Sequence, residues 1–265
     1  QLAKKIDGEI VSCDSMQIYK EMNIGTAKPT LEEMQGIKHY MIDTISPEQR
    51  YSVADYKKDA KKAIREIIEK GKVPIVVGGT GLYVDSLIYE IEYPNIEFDE
   101  KYRQQLEKQA GENGLEDLYK EAEKIDPEAM KKISENDKKR IIRVLEIYHA
   151  TGYNKTEQER KSREKEPEFD YLVYGLNMPR EKLYERINLR VDLMIEKGLI
   201  EEVENIYNKY KKFPTAMQGL GYKEVVEYLN GDLTKEEMIE KIKQETRRYA
   251  KRQMTWFKKN KQTIW

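Results

Sequence analysis

The chain is poor in the residues that build covalent or metal-bound frameworks. Among its 265 residues there is one cysteine, Cys13, and there are two histidines. A lone cysteine excludes an internal disulfide, which fits a reducing compartment such as the cytoplasm. So few Cys and His do not make a structural zinc site. No apolar run approaches the ~18 residues needed to span a bilayer, and no signal-peptide pattern opens the sequence, so no membrane partner is expected. Net charge is nearly absent too, at −1. Charge itself is not scarce: 37% of residues carry one, against roughly 25% in an average domain. Near-neutrality therefore hides local clusters of both signs. The length allows one large domain or two modest ones.

What is present centres on residues 9–30. Glu9-Ile10-Val11-Ser12-Cys13 is a β-prone run followed at once by Asp14-Ser15. In an open parallel α/β sheet, ligands bind beyond the carboxyl ends of the strands. Asp14 is thus a candidate for chemistry, and equally a candidate cap for the next segment, since Asp and Ser favour helix starts. Asn23-Ile24-Gly25-Thr26-Ala27-Lys28-Pro29 is a glycine loop with a hydroxyl, a cation and a proline stop. It lacks the G-K-[ST] spacing of a Walker A loop. Ahead of it, Gln1 to Gly8 reads as the last turns of a helix closed by a C-cap glycine. Such a short helix is marginal alone, so the sequence is expected to begin inside a longer element.

Further along, Tyr40–Ile45 reads as a short strand ended by Ser46-Pro47. Ser52-Val53-Ala54-Asp55 has capping-box form. It opens a helix with Ala60, Ala63, Ile64, Ile67 and Ile68 on one stripe, stopped by Gly71. Val73-Pro74-Ile75-Val76-Val77 reads as a parallel strand buried on both faces. Gly78-Gly79-Thr80-Gly81 then joins it to a helix that includes Leu82 to Leu87. Glycines admit a phosphate close to the backbone, and a helix start offers unpaired N–H groups. The other reading is a tight β-to-α turn with no ligand.

From Phe98 to residue 165 the pattern is polar, charged and helical, with a sparse stripe of Leu106, Leu115, Leu118, Ala122 and Ile125. Lys138-Lys139-Arg140-Ile141-Ile142-Arg143 places four cations beside an apolar face. Taken alone, that pattern reads as a solvated face. Residues 153–170 read as a loop or hinge, Tyr171–Leu176 as a further strand, and Pro179 as a helix start. On that helix Arg186 and Arg190 share one face. They suit either surface ion pairs or a diphosphate clamp. Between Lys241 and Lys261 stand nine cations, opposed in that span only by Glu245. A one-sided basic helix is the footprint of a nucleic-acid binder. Interleaved Tyr249, Trp256 and Phe257 serve the core or stack on bases.

Four blocks carry a resemblance: DSMQIYKEMNIGTAKPT at 14–30, Gly78 to Tyr83, Gln218-Gly219-Leu220-Gly221-Tyr222-Lys223, and Arg248 to Trp256. In this order, and spanning nearly the whole chain, they resemble the bacterial tRNA dimethylallyltransferases. The resemblance implies a P-loop-kinase-like parallel α/β sheet flanked by helices. It implies a core of 1–97 and 166–265 with C-terminal helices, and an all-helical tRNA-binding insertion at 98–165. It implies transfer of a dimethylallyl group from dimethylallyl diphosphate to N6 of adenosine-37 in the tRNA anticodon stem-loop, with Mg²⁺, by a cytoplasmic monomer.

The catalytic residues it implies are Asp14 as general base, with Thr80 and Arg190 on the diphosphate. Those matching RNA contacts are Asp14, Ser15, Met16 and Gln17, then Arg103, Lys139, Arg140, Ile141, Ile142 and Arg143, and Gln218 to Lys223. The family's glycine-rich phosphate loop, which ends in Gly-Lys-Ser/Thr, has no counterpart in this sequence. By the resemblance, a first strand and that loop would lie upstream of Gln1, and no residue here stands out as a Mg²⁺ ligand. Three other readings stay open on the sequence. They are a P-loop nucleoside or nucleotide kinase, a prenyltransferase of free adenine nucleotides, and a non-catalytic RNA-binding protein.

Overall fold

The computed structural model describes residues 1–93, 99–162 and 164–265. It divides into two compact units, residues 1–87 with 170–265, and residues 88–169. The boundary expected at 97/98 lies outside the described residues.

The first unit is α/β. Helix α1 (Leu2–Lys5) leads into β1 (Gly8–Ser12). The helix ends at Ile6, and Gly8 is already the first residue of the strand. The expected C-cap glycine is therefore a strand residue; a Cβ there would sit 2.8 Å from the Val73 carbonyl oxygen. After α2 (Leu31–Met34), capped by Thr30, comes β2 (His39–Tyr40). The strand expected over 40–45 shrinks to this pair because Met41 and Asp43 take positive φ, which ends a ladder. Asp43 is held there by the Lys28 ammonium. Ile45 makes only an isolated bridge to Tyr19.

Helix α3 (Val53–Glu69) is opened by the Ser52–Asp55 capping box. It buries Tyr56, Ala60, Ala63, Ile64 and Ile67 against β1 and β3 (Val73–Val77). Each isoleucine so buried contributes about 2 kcal/mol. Ile68, at the rim of the stripe, stays 47% exposed. The sheet is parallel throughout, in the order β2-β1-β3. Central β1 is buried, but Val73 and Val77 of β3 are 44% and 52% exposed. That corrects the expectation of a strand buried on both faces: β3 has β1 on one flank only. Helix α4 (Gly81–Ile88) follows directly.

The second unit is helical among its described residues: α5 (Glu100–Glu112), α6 (Glu116–Ile125), α7 (Pro127–Met130), α8 (Lys138–Thr151) and α9 (Lys155–Lys161). Its core joins Leu106, Leu118 and Ala122 to Ile141, Ile142 and Leu145. Helix α9 occupies part of the stretch expected as a loop; Asn154 caps it by accepting a bond from the Glu157 N–H at 2.7 Å. Asp126 is buried and accepts bonds from the Ala129 N–H (2.9 Å), the Thr156 N–H (2.8 Å) and the Thr156 hydroxyl (2.7 Å).

The chain returns through residues 171–176. They form not a sheet strand but a single bridge, Tyr174 to Ile264, and leave Leu172, Tyr174 and Leu176 exposed. Helices α10 (Arg180–Glu196), α11 (Leu199–Lys209), α12 (Tyr222–Leu229) and α13 (Lys235–Phe257) complete the first unit.

Burial alone pushes the Asp126 carboxyl up, but the bonds from Ala129 and Thr156 override it and hold the group below the ordinary carboxylate range. Its stabilising effect is thus present above the unfolded value, about 3.9, and is lost as pH falls through the lower folded value. Asp126→Asn is expected to cost about 1–3 kcal/mol near neutrality, with the gap from the parent narrowing in acid. Unfolding curves at both pH values check this; a gap that does not change with pH would refute it.

Candidate active site

The carboxyl end of β1 gathers Asp14, Ser15, Met16, Gln17 and Thr80 of the sequence-predicted residues. The Cys13 N–H donates to the Val77 carbonyl at 2.7 Å, and the Thr80 N–H donates to the Cys13 carbonyl at 3.2 Å. The chain leaving β1 and the chain leaving β3 are therefore stitched together where Asp14 and Thr80 emerge. Gly78 makes this possible: a Cβ there would lie 2.2 Å from the Cys13 carbonyl oxygen.

Asp14 Oδ1 accepts the N–H groups of Met16 and Gln17, at 2.8 and 3.2 Å. The capping reading of Asp14 is what these bonds show. One oxygen caps the turn, and Oδ2 has no hydrogen-bond partner among the described residues. Thr80 Oγ1 accepts the Ser15 N–H at 3.1 Å and lies 3.4 Å from the Ser15 hydroxyl. A carboxylate and two hydroxyls thus stand side by side on linked turns.

Gln17 extends the site toward the Asn23–Pro29 loop. Its Nε2 donates to the Thr26 carbonyl at 3.2 Å, and its Oε1 accepts from the Ser12 hydroxyl at 3.1 Å. The polar groups of that loop are spent internally. Lys28 Nζ donates to the Tyr19 carbonyl at 2.8 Å and pairs with Asp43. Glu202 of α11 accepts the N–H groups of Asn23, Ile24 and Gly25 at 3.0, 2.8 and 3.2 Å, and the Tyr222 hydroxyl at 2.6 Å. The Tyr222 ring lies over Gly25, where a Cβ would meet it at 2.4 Å. Tyr222 is wholly buried, and burial first, then Glu202, pushes its phenol far up. Gly219 packs on Met16, 2.9 Å from a built Cβ to the sulfur. Residues 218–223 and 14–17 therefore adjoin.

Arg190 is exposed on α10, and no described hydrogen bond or ion pair joins it to Asp14 or Thr80. In the second unit, Lys139, Arg140 and Arg143 are exposed on α8, whereas Ile141 and Ile142 are core residues. Arg103 and Arg143 flank the buried carboxylate of Glu146 at 3.1 and 3.4 Å. The C-terminal basic run is half used up. Lys241 pairs with Glu227, Lys243 with Asp192 and Arg248 with Glu245, and Arg247 donates to Asn188. Among the described residues no ion pair reaches Lys251, Arg252, Lys258, Lys259 or Lys261, which narrows the expected basic face to the end of α13.

Neither Glu202 nor Gln253 is marked out by the sequence. Glu202 lies 177 to 179 residues from the N–H groups it receives, so no local pattern marks it. Gln253 carries no charge to draw notice.

Among the described residues no group of three or more His, Cys, Asp or Glu converges as a metal cage. Mg²⁺ does not require one: it is commonly held by one or two carboxylates together with substrate phosphates. Asp14, Ser15 and Thr80 are oxygen donors of the right kind for an ion arriving on a diphosphate.

The Gly78 junction yields a direct test. Gly78→Ala must force the two chain ends apart, at about 1–3 kcal/mol for overpacking. Thermal unfolding should show the loss, and a variant as stable as its parent would contradict the close approach.

A family model described as IPP transferase matches residues 17–260. The chain is 51% identical to the tRNA dimethylallyltransferase of Acetivibrio thermocellus over 266 residues, covering 100% of this chain and 85% of that protein. It is 52% identical to the tRNA dimethylallyltransferase of Caldanaerobacter subterraneus over 260 residues, covering 97% and 82%. Among solved structures it is similar to the full-length tRNA isopentenylpyrophosphate transferase of Bacillus halodurans, with TM-score 0.72 and 43% identity, covering 100% and 82%. It is also similar to a eukaryotic dimethylallyltransferase acting on tRNA, with TM-score 0.80 and 33% identity, covering 96% and 64%. The expected P-loop-kinase-like α/β class agrees with these likenesses, and on sequence and structure together the chain belongs to the IPP transferase family.

Proposed function

We propose that this protein is a tRNA dimethylallyltransferase, joining the dimethylallyl group of dimethylallyl diphosphate to N6 of the adenosine 3′ of the anticodon, position 37. The observation that carries the reading is the placing of Asp14 and Thr80 on adjoining turns, tied by the Ser15 N–H to the Thr80 hydroxyl across the Cys13–Gly78 junction. A carboxylate with one oxygen anchored and one unengaged suits a base; a hydroxyl 3.4 Å from a second hydroxyl suits a phosphate oxygen.

In the reaction N6 attacks the allylic carbon, the carbon–oxygen bond breaks, and diphosphate leaves with the bonding electrons. Asp14 Oδ2 accepts the N6 proton. Its placement decides more than its ground-state basicity, because the amine becomes acidic only as the new bond forms. Thr80 and Arg190 donate to the leaving oxygens, where negative charge grows. Mg²⁺ arriving on the diphosphate would be held at the Ser15 and Thr80 oxygens and would neutralise part of that charge.

The adenosine must leave its stack, at a cost of a few kcal/mol. We assign the offsetting phosphate contacts to Lys139, Arg140 and Arg143, to Arg103 at its ion pair, and to the unpaired cations of α13. Met16, Gln17 and the Gln218–Lys223 segment adjoin Asp14 and would line the base. Ile141, Ile142 and Tyr222 contribute from the interior, by holding their neighbours. Work as a cytoplasmic monomer fits this reading, and no helix among the described residues is long and apolar enough to cross a membrane.

The full-length protein, incubated with an anticodon stem-loop, dimethylallyl diphosphate and Mg²⁺, should add one dimethylallyl group by mass. Asp14→Ala should abolish the gain. An unmodified RNA with the intact protein would overturn the proposal, and phosphoryl transfer from ATP or prenylation of AMP would replace it. Cys13→Ala should leave transfer nearly unchanged. Burial pushes that thiol up to about 12, so it is no nucleophile at neutral pH. A large loss would give Cys13 a chemical role.

A further inference from the structure

The Gly78–Gly81 turn has two neighbours, and only one of them is the sheet. Gln253 Nε2 of α13 donates to the Gly79 carbonyl at 2.9 Å. The Tyr249 hydroxyl, one turn earlier, donates to the same oxygen at 3.4 Å. The next turn brings Trp256, whose Nε1 donates to Asp85 Oδ2 of α4 at 3.1 Å. Tyr249, Gln253 and Trp256 are spaced at four and three residues, so they form one face of the helix. That face is laid on the turn.

The glycines follow from this contact. None of Gly78, Gly79 and Gly81 has a positive φ, so backbone freedom does not call for them. Space does. A Cβ on Gly79 would lie 2.0 Å from Gln253 Nε2, and one on Gly81 would lie 2.4 Å from the Trp256 ring. Gly78 answers to Cys13 on the other side. The 79–80 peptide is thus gripped at both ends: its carbonyl by Gln253, and its N–H by the Cys13 carbonyl at 3.2 Å. That peptide carries Thr80, whose hydroxyl holds the Ser15 N–H, next to Asp14.

We infer that Gln253, assisted by Tyr249, is a positioning residue that fixes Thr80 in register with Asp14. The C-terminal helix, not the sheet alone, then sets the reacting geometry. This rests on the proposed transfer reaction, and it gives the helix a second task beside phosphate contact. The exposed cations Lys251 and Arg252 lie within the same turn as Gln253, so RNA held there bears on the residue that grips the donor-side turn.

The test uses the full-length protein and Gln253→Glu, which keeps the shape but sets an acceptor oxygen against the Gly79 carbonyl. With saturating stem-loop and donor, single-turnover transfer should fall roughly tenfold or more, since small misplacements of reacting groups cost that much. Stem-loop affinity and unfolding temperature should stay near those of the parent. Gly79→Ala should be damaging alone, yet cost less in a Gln253→Ala background, where the colliding amide is gone; such non-additivity marks direct contact.

A readout independent of turnover is Trp256 fluorescence in a Trp265→Phe background, which leaves one indole among these 265 residues. Gln253→Glu should shift its emission as the turn loosens. Parental transfer rate in Gln253→Glu, a loss confined to stem-loop affinity, or unchanged Trp256 emission would each overturn the inference. A parent that transfers nothing, while the emission shift and the fluorescence-detected unfolding of the Gly79→Ala pair behave as stated, would sink the proposed reaction and leave the latch standing.

Discussion

The site depends on a close backbone approach. Where β1 and β3 end, the Cys13 carbonyl and the Gly78 α-carbon meet at a separation that no side chain tolerates. Hydrogen bonds on either side, Cys13 N–H to Val77 and Thr80 N–H to Cys13, make the approach a seam rather than an accident of packing. Parallel strands space their ends evenly, and the next residues then diverge. Here the seam delays that divergence by a turn. Asp14 and Thr80 emerge as neighbours although 66 positions of sequence separate them.

Around the seam the fold supplies anchors that leave few polar groups unpaired. The Glu202 carboxylate fills a cluster of three N–H groups on the Asn23–Gly25 turn, and the buried Tyr222 hydroxyl closes it. Buried polar groups cost free energy unless bonded, so these four bonds are what permit an irregular loop to lie against α11. The consequence reaches the site through Gln17, whose amide is bonded to the Thr26 carbonyl of the same loop. The glycine loop, with its hydroxyl and its cation, is thus a brace closed by a carboxylate of α11.

The sequence made the regular parts legible. The Ser52–Asp55 box and the 60–67 stripe announce α3, and the residue types past β1 and β3 announce Asp14 and Thr80. Local chemistry suffices there: caps and periodicity act over a turn or two. It fails where distant groups decide. Tyr40–Ile45 has strand composition, but Lys28 pulls Asp43 into a turn. Val73–Val77 has the apolar run of a doubly covered strand, but exposure depends on which neighbours flank it, which composition cannot say. The loop expected near 153–170 hides α9 because its signal is one Asn154 cap, easily lost among charges.

Charge counting fails for the same reason, and there the error is instructive. Nine cations against one acid between Lys241 and Lys261 read as a basic stripe along the whole helix. Their partners, Glu227 and Asp192, lie on α12 and α10, outside any local window. A cation already paired offers a phosphate less, because the acid must be released first. Among the described residues, the cations of this run with neither an ion pair nor a side-chain hydrogen bond are those from Lys251 onward, next to the face that carries Gln253 and Trp256. The first half of α13 is thus fastened to its own unit by charge, and the second half keeps its charge for a polyanion while its apolar and amide groups hold the Gly78–Gly81 turn. Fastening one half is what lets the other half serve as a fixed wall of the site.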